Sequence, residues 1–172
     1  PGFSVSRALD KTGWRSSDTA VLSFQDCRVP ADNILGEEGR GFYAVMKNFQ
    51  NERIVLGAMA MGEAQAALDL TLEYVKTRQA FGAPLWSKQA IRQRLSMLSA
   101  RVTAARQFVY ATAARDAANE DVVKEVSMIK ALCGELVNEV MYDCVQFHGG
   151  AGYLYESTIE RMARDARVQS IG

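Results

Sequence analysis

The sequence predicts a mainly α-helical protein, an up-down antiparallel four-helix bundle with a short β segment at its N-terminus. Apolar residues recur at spacings of three and four over three long stretches, which is the period of a helix with one buried face. The 172 residues contain only three prolines, at positions 1, 30 and 84. A hydrophobic content of 48% is sufficient for a sizeable core. Because each helix must bury its stripe against neighbours across short connections, antiparallel packing is expected.

The N-terminal residues are predicted to form β structure. Residues 3–9 and 19–29 are rich in Val, Phe, Ser and Thr with partial alternation, and residues 10–13 between them have turn chemistry. The β structure is expected to end near Pro30.

Helical periodicity then defines four helices. The first is predicted over about residues 51–76, and the second follows a break at Gly82–Pro84 and carries apolar residues from Ile91 to Thr112. The third carries apolar residues from Val122 to Val140, follows a polar turn at 119–121 with an N-cap candidate, and stops at Gly149–Gly150. A shorter fourth helix is predicted over about 157–167, capped by Ser157 or Thr158 with Glu160 in its first turn.

Composition excludes several classes of function. Twenty basic and twenty acidic residues give zero net charge, so no global basic field exists to hold nucleic acid or an anionic membrane. The longest apolar run, residues 54–62, is far shorter than the roughly 20 residues of a membrane span. No secretory leader is recognisable at Pro1, and we expect the chain to be an excerpt of a longer protein.

The three cysteines, Cys27, Cys133 and Cys144, lack CxxC pairing and are predicted to be reduced core thiols without a metal.

A single histidine limits the available chemistry. A di-iron bundle needs two ExxH pairs, so His148 alone excludes that centre. The same count leaves His148 as the one conceivable imidazole base. Because it stands beside two glycines at a helix end, a structural or backbone-bonding role is favoured.

Four segments contain polar or glycine residues that a plain bundle does not require. They are Phe49–Arg53 with Glu52, Arg78–Gly82, Gln146–Tyr153 with three glycines, and Arg161–Arg167. Each has an ordinary explanation: an acid in a helix first turn, an arginine at a helix C-terminus, a glycine helix cap, or a solvated charged face. A planar guanidinium can also clamp a phosphate, and glycines let a ligand approach backbone N–H groups.

The order of these segments resembles the C-terminal half of the acyl-CoA dehydrogenases. The chain reads NER before a long apolar helix, then RQAFG, then Asp143-Cys144 with QFHGGAGY, then ARDARVQSIG. Val29-Pro30 and the stretch Asn33–Gly36 match the lead into the helices. The resemblance covers the whole chain and implies that residues 1–35 end that family's middle β domain while residues 36–172 form its C-terminal helical domain.

The resemblance implies FAD-dependent oxidation of an acyl-CoA thioester to the trans-2-enoyl-CoA. In most of the family the catalytic base follows a segment equivalent to Arg164-Asp165-Ala166, but the isovaleryl and long-chain branch places it in the long helix immediately before an arginine. Glu52-Arg53 matches that second placement, so Glu52 is hypothesised to be the base. The resemblance assigns acyl-CoA contacts to Tyr43, Gln50, Asn51 and Arg53. It assigns contacts with FAD, across to a neighbouring subunit, to Arg78, Phe81, Gln89, Gln146, Phe147, His148, Gly149 and Gly150.

The expected partners follow from the same resemblance. They are an electron-transferring flavoprotein, which would accept the electrons, and further copies of the chain in a homodimer or homotetramer. The expected compartment is the bacterial cytoplasm or the mitochondrial matrix, and the expected role is in fatty acid or amino acid catabolism. The chain alone is expected to have no turnover and at most weak flavin binding. A non-catalytic helical assembly module, an acyl-CoA oxidase and a nitroalkane-oxidising relative stay open as alternatives.

Overall fold

Four α-helices and an N-terminal β-hairpin make up the fold in this computed structural model, which describes all 172 residues. The hairpin pairs β1 (Phe3–Ala8) with β2 (Ala20–Phe24) antiparallel, from Phe3 opposite Phe24 to Ala8 opposite Ala20. The helices are α1 (Gly41–Thr77), α2 (Gln89–Ala117), α3 (Val123–His148) and α4 (Thr158–Ala166). A two-residue-per-strand hairpin, β3 (Gln79–Ala80) with β4 (Ala83–Pro84), connects α1 to α2.

The helices run up, down, up and down, which confirms the predicted bundle. The parallel pair α1 and α3 contacts at Gly57 with Ile129 near one end and at Tyr74 with His148 near the other. Helix α2 runs the opposite way, since Arg94 bonds Asp143 and Arg115 bonds Glu125. Helix α4 returns along α3, where the Asn138 amide donates to the Ala166 carbonyl.

The core lies between α1, α2 and α3. Its fully buried side chains come from the predicted stripes and include Met61, Leu98, Val102, Ile129 and Leu136. Gly57 allows α1 and α3 to approach closely, because a Cβ added there would lie 2.3 Å from Ile129 Cγ2.

Ion pairs join α2 to α3 along the bundle surface. Arg94 Nη2 lies 2.6 Å from Asp143 Oδ2 and 2.8 Å from Glu139 Oε1, and Arg101 Nη1 lies 2.5 Å from the same Glu139 oxygen. The hydrogen bond from Arg101 is the main cause of a lowered pKa at Glu139, and Arg94 adds to it. Because both arginines are exposed, the pairs contribute little to stability.

The predicted start of α1 is wrong. The helix begins at Gly41 instead of about Asn51, and its first turns extend past the bundle. Phe42 is 69% exposed and Tyr43 62% exposed. Phe42, Val45 and Phe49 recur at helical spacing in these turns, but the stripe that they form is exposed within this chain. The predicted start at about Asn51 did not include it.

The predicted helix starts hold for α3 and α4, but the predicted caps differ. Ser157 occupies the N-cap position of α4 without a side-chain capping hydrogen bond, and Glu160 lies in the first turn. At α3 the N-cap position is Val122, and Asp121 Oδ1 accepts the Val123 N–H at 3.1 Å.

The cysteines divide into two kinds. Cys133 and Cys144 are buried in the core, and burial raises the pKa of each thiol to about 11. Cys27 is half-buried and lies outside the core, so the prediction of a core thiol is wrong for this residue.

Two further observations concern metals and membranes. No group of three or more His, Cys, Asp or Glu side chains is arranged to hold a metal ion. None of the helices combines the length and apolarity needed to span a bilayer.

Candidate functional site

The β3–β4 hairpin presents an aromatic ring to solvent in a strained backbone conformation. Its two-residue loop, Phe81-Gly82, has φ of 56° and 78°, as in a type I′ turn. A non-glycine residue in this region costs on the order of 1–3 kcal/mol. The Phe81 ring is nevertheless 91% exposed, so burial of the side chain does not offset that cost within this chain. Strain at an exposed aromatic residue indicates a contact surface.

Arg78 shares a cleft with the glycine-containing turn after α3. The cleft has a volume of about 500 Å³. Its walls come from the end of α1, the start of α2 and the α3 terminus, and its lining residues are Tyr74, Arg78, Leu85, Ile91, Gln146, Phe147, His148, Gly149, Gly150 and Ala151. The Arg78 side chain is exposed and takes part in none of the ion pairs of the chain. Six of the eight residues to which the resemblance assigns FAD contacts therefore meet in one place.

The other two residues of that set lie outside the cleft lining. Phe81 occupies the hairpin tip, and Gln89 is the exposed first residue of α2. Both stand on the connection between α1 and α2 that forms one side of the cleft.

His148 is fixed by three contacts inside the cleft wall. Its ring stacks on Tyr74 with centroids 4.2 Å apart, and the Tyr74 hydroxyl donates to the His148 carbonyl at 3.2 Å. Nδ1 lies 2.8 Å from the Cys144 carbonyl oxygen, which can only accept, so Nδ1 is a donor in this contact. These contacts agree with the structural, backbone-bonding role favoured from the sequence.

The three glycines of the turn have different roles. Gly149 ends α3 with φ of 59°, so the helix-cap explanation applies to it. Gly152 is packed so closely that an added Cβ would lie 2.7 Å from the Val145 carbonyl oxygen. Gly150 is exposed with nothing within 4 Å of an added Cβ, so its backbone is open to a ligand.

Glu52 lies in the projecting part of α1 and is exposed in this chain. Asn48, one turn earlier, donates from Nδ2 to Glu52 Oε1 at 2.6 Å. Asn48 was not among the residues predicted from the sequence, although it lies four residues before Glu52, the spacing at which helical side chains meet. The Asn48 amide restricts the orientation of the Glu52 carboxylate and leaves Oε2 without a hydrogen-bond partner in the chain.

The helix period distributes the proposed acyl-CoA residues around α1. Tyr43 and Gln50 lie seven residues apart and share a face, which continues as the face buried in the bundle at Gly57. Glu52 lies on the opposite face, together with Leu56 and Glu63. Asn51 and Arg53 lie between these two faces, one on each side of the helix. The four proposed acyl-CoA residues and Glu52 therefore do not share one surface.

A second recess, which no sequence pattern predicted, lies along the face of α1 that carries Glu52. Its volume is about 660 Å³. Leu56 of α1 lines it, opposite the β1–β2 loop at Lys11–Trp14 and the end of the chain from Arg164 to Gly172. Glu52 does not line the recess, but it lies one helical turn before Leu56 on the same face of α1, so the recess opens about one turn from the Glu52 side chain.

An acidic pair lies next to this recess. Burial raises the pKa of the Glu63 carboxyl, and the charge of Asp165 raises it further. The Gln169 side chain donates to Glu63, which opposes that rise. Gln169 is buried, and its Oε1 has no hydrogen-bond partner in the chain.

The Arg161–Arg167 segment is not simply a solvated face. Asp165 Oδ1 accepts the backbone N–H of Trp14 at 2.6 Å. Arg164 forms two hydrogen bonds with Glu160, at 2.6 and 2.9 Å, which lower the pKa of that carboxyl. Arg161 and Arg167 are exposed, so the solvated-face explanation holds only for these two.

Glu52 and the Arg78 cleft stand at opposite ends of one helix. From Glu52 to the end of α1 at Thr77 the helix rises about 38 Å. Within one copy of the chain, Glu52 and the Arg78 cleft therefore lie far apart.

Comparison with known proteins gives a family match over most of the chain. The family model described as acyl-CoA dehydrogenase, C-terminal domain, matches residues 39–172. A curated relative, probable acyl-CoA dehydrogenase YngJ of Bacillus subtilis, is 39% identical over all of this chain and 45% of its own length. Acryloyl-CoA reductase (NADH) of Anaerotignum propionicum is 40% identical over 99% of this chain and 43% of its own length. The chain thus spans less than half the length of the curated relatives it matches.

Solved structures have the same fold. A probable acyl-CoA dehydrogenase from Mycobacterium abscessus superposes with a TM-score of 0.97 at 47% identity, over 100% of this chain and 46% of that one. An acyl-CoA dehydrogenase from Bacillus anthracis described as complexed with FAD superposes with a TM-score of 0.93 at 30% identity, over 99% of this chain and 32% of that one.

Proposed function

The chain belongs to the acyl-CoA dehydrogenase family, and from this premise we propose that it is the C-terminal part of an enzyme that oxidises an acyl-CoA thioester to the trans-2-enoyl-CoA with FAD. The observation that carries the proposal is the convergence of Arg78 with residues 146–150 in one cleft. A non-catalytic assembly module does not need an unpaired guanidinium in a cleft beside an accessible glycine backbone. We also propose that residues 1–35 end a β domain and residues 36–172 form the helical domain.

The cleft residues suit FAD. The Arg78 guanidinium offers planar donors that match a phosphate, and Gly150 leaves its backbone accessible beside it. Leu85 and Ile91 provide apolar walls. When bound, FAD supplies the acceptor for the hydride that leaves the β-carbon. The FAD complex of the Bacillus anthracis relative supports this assignment.

Glu52 is proposed to take the α-proton of the thioester. The α-carbon is a very weak acid, so a base there needs a fixed geometry and a water-poor surrounding. Asn48 supplies the fixed geometry through its hydrogen bond to Oε1. Large exposed apolar side chains on the same stretch of α1, among them Phe42, Phe49 and Val55, indicate that another protein surface covers it and excludes water.

The proposal requires at least two subunits around each flavin. Because about 38 Å of helix separates Glu52 from the Arg78 cleft, the base of one subunit must work with the cleft of another. In a symmetric homodimer or homotetramer, each Glu52 can face the Arg78 cleft of a neighbouring subunit.

Mixing two inactive variants of the full-length enzyme tests this arrangement. When Glu52→Gln and Arg78→Ala subunits are co-expressed with different tags, each mixed pair contains one site with both native residues. In the fraction that carries both tags we expect roughly half of the parent activity, measured as acyl-CoA turnover, because one of the two sites in each mixed symmetric dimer is native. Each variant expressed alone is the control. No recovery in the mixed fraction, with mixed oligomers verified by both tags, would contradict the proposal.

The 172-residue chain by itself is proposed to have no dehydrogenase turnover and at most weak flavin binding. Glu52 is exposed to water in this chain, so it lacks the surrounding that the chemistry needs. Turnover and flavin absorbance of the purified chain measure both properties. A yellow, active preparation would refute the expectation.

The electron acceptor and the compartment are also proposals. An electron-transferring flavoprotein is the proposed acceptor, and oxygen is the alternative that an oxidase-like relative would use. The bacterial and mitochondrial sources of the relatives support bacterial cytoplasm or mitochondrial matrix as the compartment. Reoxidation of the reduced enzyme by each acceptor distinguishes dehydrogenase from oxidase.

A further inference from the structure

The β1–β2 loop is attached to α4 by three contacts between residues far apart in sequence. Asp165 Oδ1 accepts the Trp14 N–H at 2.6 Å, and Arg164 Nη1 donates to the Thr12 carbonyl at 3.2 Å. Between them Gly13 lies directly on the helix, because a Cβ added there would lie 2.4 Å from the Arg164 carbonyl oxygen. The loop is therefore seated on α4 through its backbone.

The conformation of the loop depends on the Asp165 contact. Trp14 has φ of 50°, a left-handed conformation that is strained for a large side chain. A hydrogen bond from its N–H to a half-buried carboxylate is charge-assisted and stabilises this conformation. Asp165 in turn lies close enough to Glu63 to raise the pKa of that carboxyl, so the carboxylate stands at the junction of the loop, α4 and α1.

The same junction forms the recess beside Glu52. One wall is the loop at Lys11–Trp14, and the other walls are Leu56 on α1 and the residues from Arg164 to Gly172. A shift of the loop against α4 would change the width of this recess directly.

We propose that Asp165 is a positioning residue, which holds the Trp14 turn against α4 and thereby sets the recess beside Glu52. The inference rests on the proposed function, because the recess concerns the reaction only if Glu52 is the base. Asp165 acts through the Trp14 backbone and takes no proton from the substrate.

Two substitutions in the full-length holoenzyme separate the hydrogen bond from the charge. Asp165→Ala removes the acceptor, and we expect kcat to fall by about ten-fold to 100-fold with KM little changed and FAD content retained, because a displaced wall misaligns the reacting groups. Asp165→Asn keeps an oxygen acceptor for the Trp14 N–H, and we expect its kcat to stay within about three-fold of the parent. Asp69→Ala is the matched control, since Asp69 is an exposed carboxylate of α1 bonded only to Gln65. Parent-like kcat in Asp165→Ala, or an equal loss in Asp165→Asn, would overturn the proposal.

Amide hydrogen exchange gives a readout that does not depend on activity. Loss of the acceptor should accelerate exchange at the Trp14 N–H in Asp165→Ala but not in Asp165→Asn or Asp69→Ala. Unchanged exchange in Asp165→Ala would refute the positioning role even if Glu52→Gln is inactive, so failure of this inference is distinguishable from failure of the proposed function.

A glycine substitution tests the same contact if Asp165→Ala does not fold. Gly13→Ala forces the loop away from the Arg164 carbonyl, so we expect a loss of kcat similar to that of Asp165→Ala. Gly62→Ala is its control, because nothing lies within 4 Å of an added Cβ at that position of α1. Parent-like kcat in Gly13→Ala would contradict the proposal.

Discussion

Glu52→Gln in the full-length enzyme should abolish turnover while FAD remains bound. The amide has nearly the shape of the carboxylate and keeps an oxygen to accept the Asn48 hydrogen bond, but it cannot take a proton. Because a positioned general base contributes about 100-fold to 10,000-fold, we expect kcat to fall at least about 100-fold. Steady-state acyl-CoA oxidation and the flavin absorbance of the purified variant measure the two properties.

The matched control for Glu52 is Glu135→Gln. Glu135 is an exposed carboxylate on α3 that forms none of the ion pairs of the chain, and its substitution should leave turnover unchanged. Parent-like turnover in Glu52→Gln would exclude Glu52 as the base. It would direct attention to a carboxylate following the Arg164-Asp165-Ala166 segment.

Arg78→Ala should release FAD without unfolding the bundle. Arg78 is exposed at the end of α1 and has no ion-pair partner, so its truncation removes no contact from the core. A hydrogen bond to a charged group such as a phosphate contributes about 1.5–3 kcal/mol, so we expect FAD affinity to fall at least about ten-fold. Flavin content after gel filtration gives the loss, and the denaturant midpoint gives the stability.

Arg161→Ala controls for loss of a surface arginine. Arg161 is exposed on α4 and forms no ion pair, so this variant should retain both flavin and stability. A normal flavin content in Arg78→Ala would contradict the assignment of the cleft. A large decrease in its denaturant midpoint would show that Arg78 has a structural role that its exposure does not indicate.

The helical architecture could be predicted because the core residues themselves carry the period. Met61, Leu98 and Ile129 lie on stripes that the sequence displays, and all three are fully buried. The first turns of α1 also carry apolar residues at helical spacing, at Phe42, Val45 and Phe49, but these side chains are exposed within this chain. Their spacing indicates a helix and does not indicate which surface covers them.

The candidate site could likewise be predicted only in part from the sequence. The residues from Gln146 to Gly150 could be identified because the motif is contiguous and its glycines are chemically distinctive. The contact of Asp165 with Trp14 joins residues 151 positions apart, so no local pattern indicates it. The recess beside Glu52 depends on this tertiary contact, and only the folded chain reveals it.

The central claim is that the Glu52 carboxylate removes the α-proton of a thioester held at a flavin. Anaerobic rapid mixing of the parent and Glu52→Gln holoenzymes with acyl-CoA tests this claim in a single turnover, followed by the loss of oxidised-flavin absorbance. We predict rapid flavin reduction in the parent and none in Glu52→Gln, although the variant still binds the acyl-CoA. Flavin reduction at the parent rate in Glu52→Gln would contradict the account.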